Sequence, residues 1–447
     1  MDRVLCFLIY FITAFSGLSK LFGKTAAGRY EEYRQGGRLK ILLVGYNGAR
    51  NTGSDVRVAA IARQAAELFG KENVHITVLT MDVSSLSGYF DEDVELLPFS
   101  SFFPFDLYRA CCTHHAAILC EGSTLKSTFA NALTLFMCEA AGIMTRQKKP
   151  CLAYGSEIGE MEPFLAAAAK RLCRGTYFIT RTEVSLAGLK KLGLKGHAGT
   201  DAAWCYDRAI APKQARQLLC AQGLDGKKPL LGIAVINPFC WPVRASLTKW
   251  IWGHLTGNLQ GQYDRWYFFS DSPERREAYK TYIREVAAGV NTFLKENDCF
   301  PVILGMERLD AKACGALREQ LDVPGAVFLS GETPAAVMTG VLRELSVLVT
   351  SRYHAAVLSM EEGCPCVAVS MDERLDGIMR ELDLDRTYLL RVDDENLGNR
   401  LYGALSKAAA DQQRIRSHIK ASTAAYKQTL QDMGDFLKRY IQQSLKM

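Results

Sequence analysis

Ser346-Val-Leu-Val-Thr-Ser351-Arg352-Tyr353-His354-Ala-Ala-Val-Leu-Ser-Met-Glu-Glu-Gly363-Cys-Pro365-Cys-Val-Ala-Val369 is the stretch whose reading decides the fold. Its first apolar run reads as a buried strand, and the Ser351 turn leads into a short helix. Gly363-x-Pro365 ends the helix and a second apolar strand follows. Strand, helix, strand in one direction is the unit of a parallel α/β sheet. Ser351 is placed to cap the helix, making Arg352 its first residue and His354 its third. Free N–H groups at a helix start favour an anion, and a guanidinium beside them adds bidentate recognition of a phosphate or carboxylate. The imidazole is then a candidate acid whose charge depends on whether the anion is bound. A histidine packed under the sheet is the plainer alternative for such a residue.

Outward from this stretch the same rhythm runs in both directions. Toward the N-terminus, Arg38–Tyr46, Val74–Thr80, Ala116–Glu121, Pro150–Tyr154 and Tyr177–Thr180 read as strands separated by helices. The helix from Asp55 to Phe69 carries Val58, Ile61, Ala62, Ala65 and Leu68 on one face. Nearer the stretch, Leu230–Ile236, Trp266–Ser270, Cys299–Leu304 and Val327–Leu329 are further strand candidates. The expected fold class is α/β: two Rossmann-like lobes with a central cleft and a helical C-terminal tail. The expected boundaries are an apolar N-terminal segment at 1–36, a first lobe at 37–208, a connector at 209–228, a second lobe at 229–384 and a tail at 385–447.

A chain of 447 residues exceeds one ordinary core, which agrees with two lobes. Hydrophobic residues make up 48% and charged residues 23%, an ordinary globular balance. A net charge of +6 suits small anionic ligands or a membrane surface, and with no nucleic-acid motif present it argues against nucleic-acid binding. The 14 cysteines include no C-x-x-C pair, so the expectation is free thiols in a reducing compartment and no metal. Residues 4–18 are almost wholly apolar and precede Lys20 and Lys24, but are short of the roughly 20 residues that span a bilayer. Three readings stand: an interfacial anchor in contact with a membrane surface, an uncleaved signal, or a hydrophobic helix packed on the protein. The expected place is the cytoplasm, at the inner face of the membrane.

Other strand ends carry candidate ligands, where open sheets bind them. The first loop, Gly45-Tyr-Asn-Gly48-Ala-Arg-Asn51-Thr-Gly53-Ser54-Asp55, is rich in glycine but is neither a P-loop nor a dinucleotide fingerprint. A tight turn is its plain alternative. Glu121-Gly122-Ser123, Gly155-Ser-Glu-Ile-Gly159, Arg181 before a helix, Asp201, and Asp372-Glu373-Arg374 occupy comparable positions. A surface ion pair is the usual fate of a lone arginine, and a solvated face that of a charge run.

Taken together and in order, these segments over about Lys40–Leu384 resemble the polysaccharide pyruvyl transferase family. The resemblance rests on Asn51-x-Gly53-Ser54-Asp55, Glu121-Gly122-Ser123, Gly155 to Gly159, Arg181-Thr-Glu-Val-Ser185 with Leu192-Gly193, and Asp201. Its most specific piece is Ser351-Arg-Tyr-His354 with Gly363-x-Pro365. Tyr353 stands where the family usually has an aliphatic residue, Arg374 where it often has lysine, and Ser123 where it has a second glycine. The resemblance implies a fold similar to GT-B glycosyltransferases. It also implies metal-free transfer of pyruvate from phosphoenolpyruvate, as co-substrate, to hydroxyls of a cell-surface or lipid-linked glycan. It implies His354 as acid and Asp55 as a candidate assistant to the sugar hydroxyl. Arg352, Arg181, Ser351, Gly48, Asn51, Gly53, Glu121 and Arg374 are the implied binding residues. A nucleotide-sugar glycosyltransferase and a non-catalytic binding protein on the same fold are the alternatives.

Overall fold

The computed structural model describes residues 1–18, 24–25, 28–86, 88–90, 93–226, 228–259, 261–264 and 266–447. Numbering only the strands of its two main sheets, the first comprises β1 Leu39–Val44, β2 Val74–Thr80, β3 Val94–Pro98, β4 Ala116–Leu119, β5 Cys151–Ser156, β6 Tyr177–Thr180 and β7 Lys195–Ala198. They pair in parallel in the order β3-β2-β1-β4-β5-β6-β7. The second sheet comprises β8 Leu230–Ala234, β9 Phe300–Gly305, β10 Ala326–Leu329, β11 Val347–Thr350, β12 Cys366–Ser370 and β13 Leu389–Arg391. It repeats the scheme in the order β10-β9-β8-β11-β12-β13, again parallel throughout. Central strands such as β1 and β11 are buried along almost their whole length, which is why they read as continuous apolar runs. Both sheets reverse direction of growth beside their first strand, so loops at the carboxyl ends of β1, β4, β8 and β11 gather at switch points.

Sequence reasoning lost its precision at the edges. β3 and β7 are half-exposed edge strands, and β13 has three residues, so none carries a continuous apolar signal. Trp266–Ser270 is not a strand of the main sheet. Only Tyr267–Phe268 is extended, in a small antiparallel sheet with Arg244–Ala245 and Gln262–Asp264. The connector at 209–228 contains a helix, Pro212–Ala221, whose Ala215 and Leu219 are buried and which packs on helix Ala335–Arg343.

The tail at 385–447 is likewise not a separate element. It contributes β13 and then helix Leu397–Ala410, packed on helix Pro273–Glu296 of the second lobe. The last helix, Gln412–Leu445, returns to the first lobe. There the Thr200 N–H donates to Met433 Sδ at 3.2 Å, and the Tyr440 hydroxyl donates to the Cys151 carbonyl at 3.2 Å. At about 1.5 Å per residue this helix has the reach to strap one lobe to the other. Direct interlobe bonds add to it: Thr52 N–H to the Met306 carbonyl (2.9 Å), Val243 N–H to the Phe129 carbonyl (2.8 Å) and Ala335 N–H to the Tyr89 hydroxyl (2.9 Å).

The N-terminal apolar segment forms helix Asp2–Ser16, which buries Cys6, Ile9 and Ile12 and packs on helix Asn131–Arg146. Lys20 lies outside the described residues, as does the Lys24 side chain. Among the described residues no helix is long and apolar enough to cross a membrane. All 14 cysteines carry free thiols.

Leu437 of the last helix is fully buried. Leu437→Ala is expected to destabilise the whole chain by about 2–5 kcal/mol in chemical denaturation, with loss of first-lobe structure. A cost below about 0.5 kcal/mol would show that the strap contributes little.

Candidate functional site

The loops after β1, β3, β4 and β6 of the first lobe face those after β8, β9, β11 and β12 of the second across two adjoining cavities. The larger, of about 160 Å³, is walled mainly by Phe99, Phe103, Phe129, Leu133, Phe136, Trp241, Tyr263 and Tyr267. The smaller, of about 40 Å³, is polar and is lined by Gly53, Gly122, Arg181, Tyr353 and His354 among others. Asn51, Ser54, Glu121, Ser123, Arg352 and Arg374 border both.

Each bordering side chain has a local cause. Asn51 caps helix Thr52–Phe69, its amide oxygen accepting the Ser54 N–H at 3.2 Å. Glu121 at the end of β4 is held by the Tyr46 N–H (3.3 Å), the Ser54 hydroxyl (3.3 Å) and the Ser123 N–H (3.0 Å). Gly53 is needed because a Cβ there would collide with the His354 ring. Arg352, after β11, gives Nε to Asp310 at 2.8 Å and Nη2 to Glu307 at 2.9 Å, with a second bond to Asp310. Arg374, after β12, pairs with Asp372 at 2.6 Å and lies over the Phe129 ring at 4.4 Å. Among the described residues, no carboxylate takes the Nη1 atom of either arginine.

Beneath this floor lies a buried ionic network. Arg57 reaches Asp201 at 2.5 Å, Arg181 bonds Asp201 at 3.1 Å and also pairs with Glu157, and Lys126 pairs with Glu157 at 2.5 Å and with Glu373 at 3.0 Å. His354 Nε2 stands 3.7 Å from Asp201, at ion-pair range but beyond a hydrogen bond. Burial alone would raise Asp201, yet Arg57, His354 and Arg181 hold it well below the ordinary carboxylate range. Burial lowers His354, Arg57 and Arg181 add to that, and Asp201 works against it.

Four sequence expectations need correction. Ser351 is not the helix cap and borders neither cavity: the helix begins at Tyr353, and the Ser351 hydroxyl accepts the Ile236 N–H at 3.2 Å and bonds Tyr282 at 3.2 Å. Gly48 is a turn glycine with φ +79°, where a Cβ would strike Thr80, and it lines neither of these two cavities. Asp55 is fully buried and neither of its oxygens has a hydrogen-bond partner among the described residues. Burial pushes it up to about 8, with the Gly48 amide and Arg50 offsetting only part, so it is a neutral acid at pH 7 and not a base. Arg181 borders the small cavity, but both its Nη atoms are committed to carboxylates and its face covers the Tyr353 ring at 4.4 Å. The open guanidinium edges belong to Arg352 and Arg374.

The sequence reading also missed Arg57, Lys126, Glu307 and Asp310. The last two follow β9 directly and were open to the strand-end argument used elsewhere. Nothing local marks Arg57 or Lys126, one inside a helix and one in a loop. Among the described residues, no cluster of three or more His, Cys, Asp or Glu is arranged to hold a metal ion.

No family model and no curated protein matches this chain. Solved structures do. Anabaena Alr3699/HepE in complex with UDP-glucose superposes with a TM-score of 0.55 at 12% identity, covering 90% of this chain and 100% of that one. UDP-GlcNAc 2-epimerase of Neisseria meningitidis bound to UDP-GlcNAc gives 0.52 at 10% identity, over 88% and 100%. Phytolacca americana UGT2 complexed with UDP-2fluoro-glucose and pterostilbene gives 0.50 at 9%, over 90% and 100%. At such identities the likeness establishes the architecture: this chain has a GT-B-like fold.

Two outcomes test this geometry. Gly53→Ala is expected to displace the His354 ring, leaving far-ultraviolet dichroism intact and removing most activity or ligand binding; unchanged function would show that the ring can move freely. For Asp55, a folded-state value above the unfolded one means stability is fullest below the unfolded value and is lost as pH rises through about 8. Asp55→Asn removes that loss, so it should be more stable than the parent at pH 7–9, by on the order of a few kcal/mol in denaturant titrations. An advantage that does not grow between pH 5 and 8 would refute the neutral-acid assignment.

Proposed function

We propose that this protein is a sugar-modifying transferase that moves a pyruvyl group from phosphoenolpyruvate onto hydroxyls of a glycan. The observation that carries the reading is the meeting of Arg352 and Arg374, which border both the small polar cavity and the larger aromatic one, with His354, which lines the small one. It stands in the Ser351-to-Pro365 context that resembles the pyruvyl transferases. A three-carbon donor bearing a carboxylate and a phosphate suits the polar recess, its oxygens facing the Nη1 edges of Arg352 and Arg374. The aromatic walls suit the apolar faces of a sugar ring.

In this reading the donor dianion raises the proton affinity of the neutral His354, and ionised Asp201 steadies the imidazolium. His354 then protonates the methylene carbon of the enol phosphate, leaving an oxocarbenium-like centre at the next carbon. A sugar hydroxyl attacks that carbon as Glu121 takes its proton, phosphate departs with that proton, and a second hydroxyl closes the ketal as its proton passes to His354. A nucleotide-sugar glycosyltransferase is the second reading, supported by the UDP-sugars bound in structural neighbours. It would place the base against the aromatic wall.

Thermal-shift measurements against phosphoenolpyruvate, UDP and UDP-sugars separate the two. Stabilisation by phosphoenolpyruvate, with phosphate release dependent on a sugar acceptor, is expected; stabilisation by UDP alone would favour the second reading. His354→Gln should lower kcat by roughly 10²–10⁴ while donor affinity stays within tenfold. Arg374→Gln should mainly weaken donor binding.

A further inference from the structure

A third cavity, of about 660 Å³, lies at the amino end of the second sheet, away from the cleft. Ser346, just before β11, lines it, whereas Arg352 of the cleft follows the carboxyl end of that strand. Its walls come from the connector between Ala209 and Arg216, from Arg343 and Glu344 at the end of helix Ala335–Arg343, and from the first turn of the last helix. The volume falls within the roughly 300–1,000 Å³ usual for small-molecule sites.

Its charges are not balanced. Glu344 accepts from Arg216 Nε at 2.8 Å and Glu362 pairs with Lys420 at 3.2 Å, so each lining carboxylate has a cation of its own. Arg343 pairs with Glu361 and gives Nη2 to the Tyr206 carbonyl at 2.6 Å. Arg416 is half-buried at the wall, and among the described residues no carboxylate pairs with it. Arg216 Nη1 and Arg343 Nε are buried and have no hydrogen-bond partner among the described residues. Buried guanidinium N–H groups left unpaired are costly, and an anion within reach relieves that cost. The last helix begins at the same wall without a side-chain cap, since Asp411 pairs instead with the Arg414 guanidinium at 2.7 Å. Its 34 residues therefore start with free N–H donors and the positive end of the dipole beside Arg416.

These features select a ligand with concentrated negative charge, and the rest of the lining selects what carries it. Gln412, Gln413 and Ser346 supply amides and a hydroxyl that bond sugar hydroxyls. Gln412 is fixed at the wall by a bond from Nε2 to the Ser346 carbonyl at 2.8 Å. Among the described residues none of the lining side chains is aromatic, so nothing there stacks a nucleobase.

We propose that this cavity is a second ligand site that takes a phosphorylated sugar, its phosphate at Arg416 and the start of the last helix and its hydroxyls at the glutamine amides. The site is separate from the cleft and does not depend on the reaction assigned there. A ligand seated in it touches both the connector and the last helix, the two segments that run between the lobes, and so braces one against the other.

Calorimetric titration of the full chain with glucose 6-phosphate tests this, beside glucose, inorganic phosphate and UDP. Glucose 6-phosphate is expected to bind at least tenfold more tightly than each of the other three. Arg416→Gln should weaken it at least tenfold, and so should Gln413→Glu, which places a carboxylate where a helix start tolerates one. Both variants should keep the parent's melting temperature without ligand. Arg374→Gln, in the cleft, should leave the affinity within twofold. No binding at millimolar glucose 6-phosphate, binding that both wall variants retain, binding lost in Arg374→Gln, or equal binding of inorganic phosphate or UDP would each overturn the proposal.

Discussion

The buried chain of charges that runs Arg57–Asp201–Arg181–Glu157–Lys126 is the constraint on which the rest of the site depends. Burying these groups singly would be prohibitive, and removing one partner of such a pair typically costs about 3–5 kcal/mol because the other is left uncompensated. The network crosses the lobe boundary. Lys126 of the first lobe reaches Glu373 of the second, and Asp201 of the first stands under His354 of the second. The contact between the lobes and the placement of the imidazole thus depend on the same charges, reinforced by Arg181 lying over Tyr353.

That network changes what the site's cations can do. Arg57, Lys126, Arg181, Arg352 and Arg374 face Glu121, Glu157, Asp201, Glu307, Asp310, Asp372 and Glu373, so the floor has no surplus of positive charge to attract any passing anion. Recognition is left to the oriented edges of two arginines already fixed by their carboxylates. Such preorganisation favours geometry over net charge, since the groups need not reorganise when ligand arrives. The same low-dielectric setting keeps His354 neutral until a charge beside it shifts the balance, and keeps Asp55 protonated outside the chemistry.

The termini serve the same arrangement from outside. The last helix returns from the second lobe to cover the first, burying Met433 and Leu437 against it. The first helix packs on the helix that provides part of the aromatic wall. Two chain ends that look dispensable in sequence therefore bear on the cleft, one by holding the lobes together and one by backing a helix of its wall.

Local pattern alone determined the α/β alternation, the two lobes and most central strands, because strands buried on both faces must be continuously apolar. Local pattern also marked the strand-end loops that carry Asn51, Gly53, Glu121, Arg352, His354 and Arg374, because loops at parallel strand ends necessarily gather on one side of a sheet, and the family resemblance joined them into one candidate set. The edge strands, the strap and the small antiparallel sheet were not legible, since half-exposed or very short elements leave no period to read. Which charges face ligand and which face each other was decided only by the tertiary structure. Arg181 looks like a ligand arginine and is consumed by Glu157 and Asp201; Asp55 looks like a base and is buried and neutral; Ser351 looks like a cap and ties β11 to β8. Charge pairing and burial are properties of residues a hundred or more positions apart, and no local spacing encodes them.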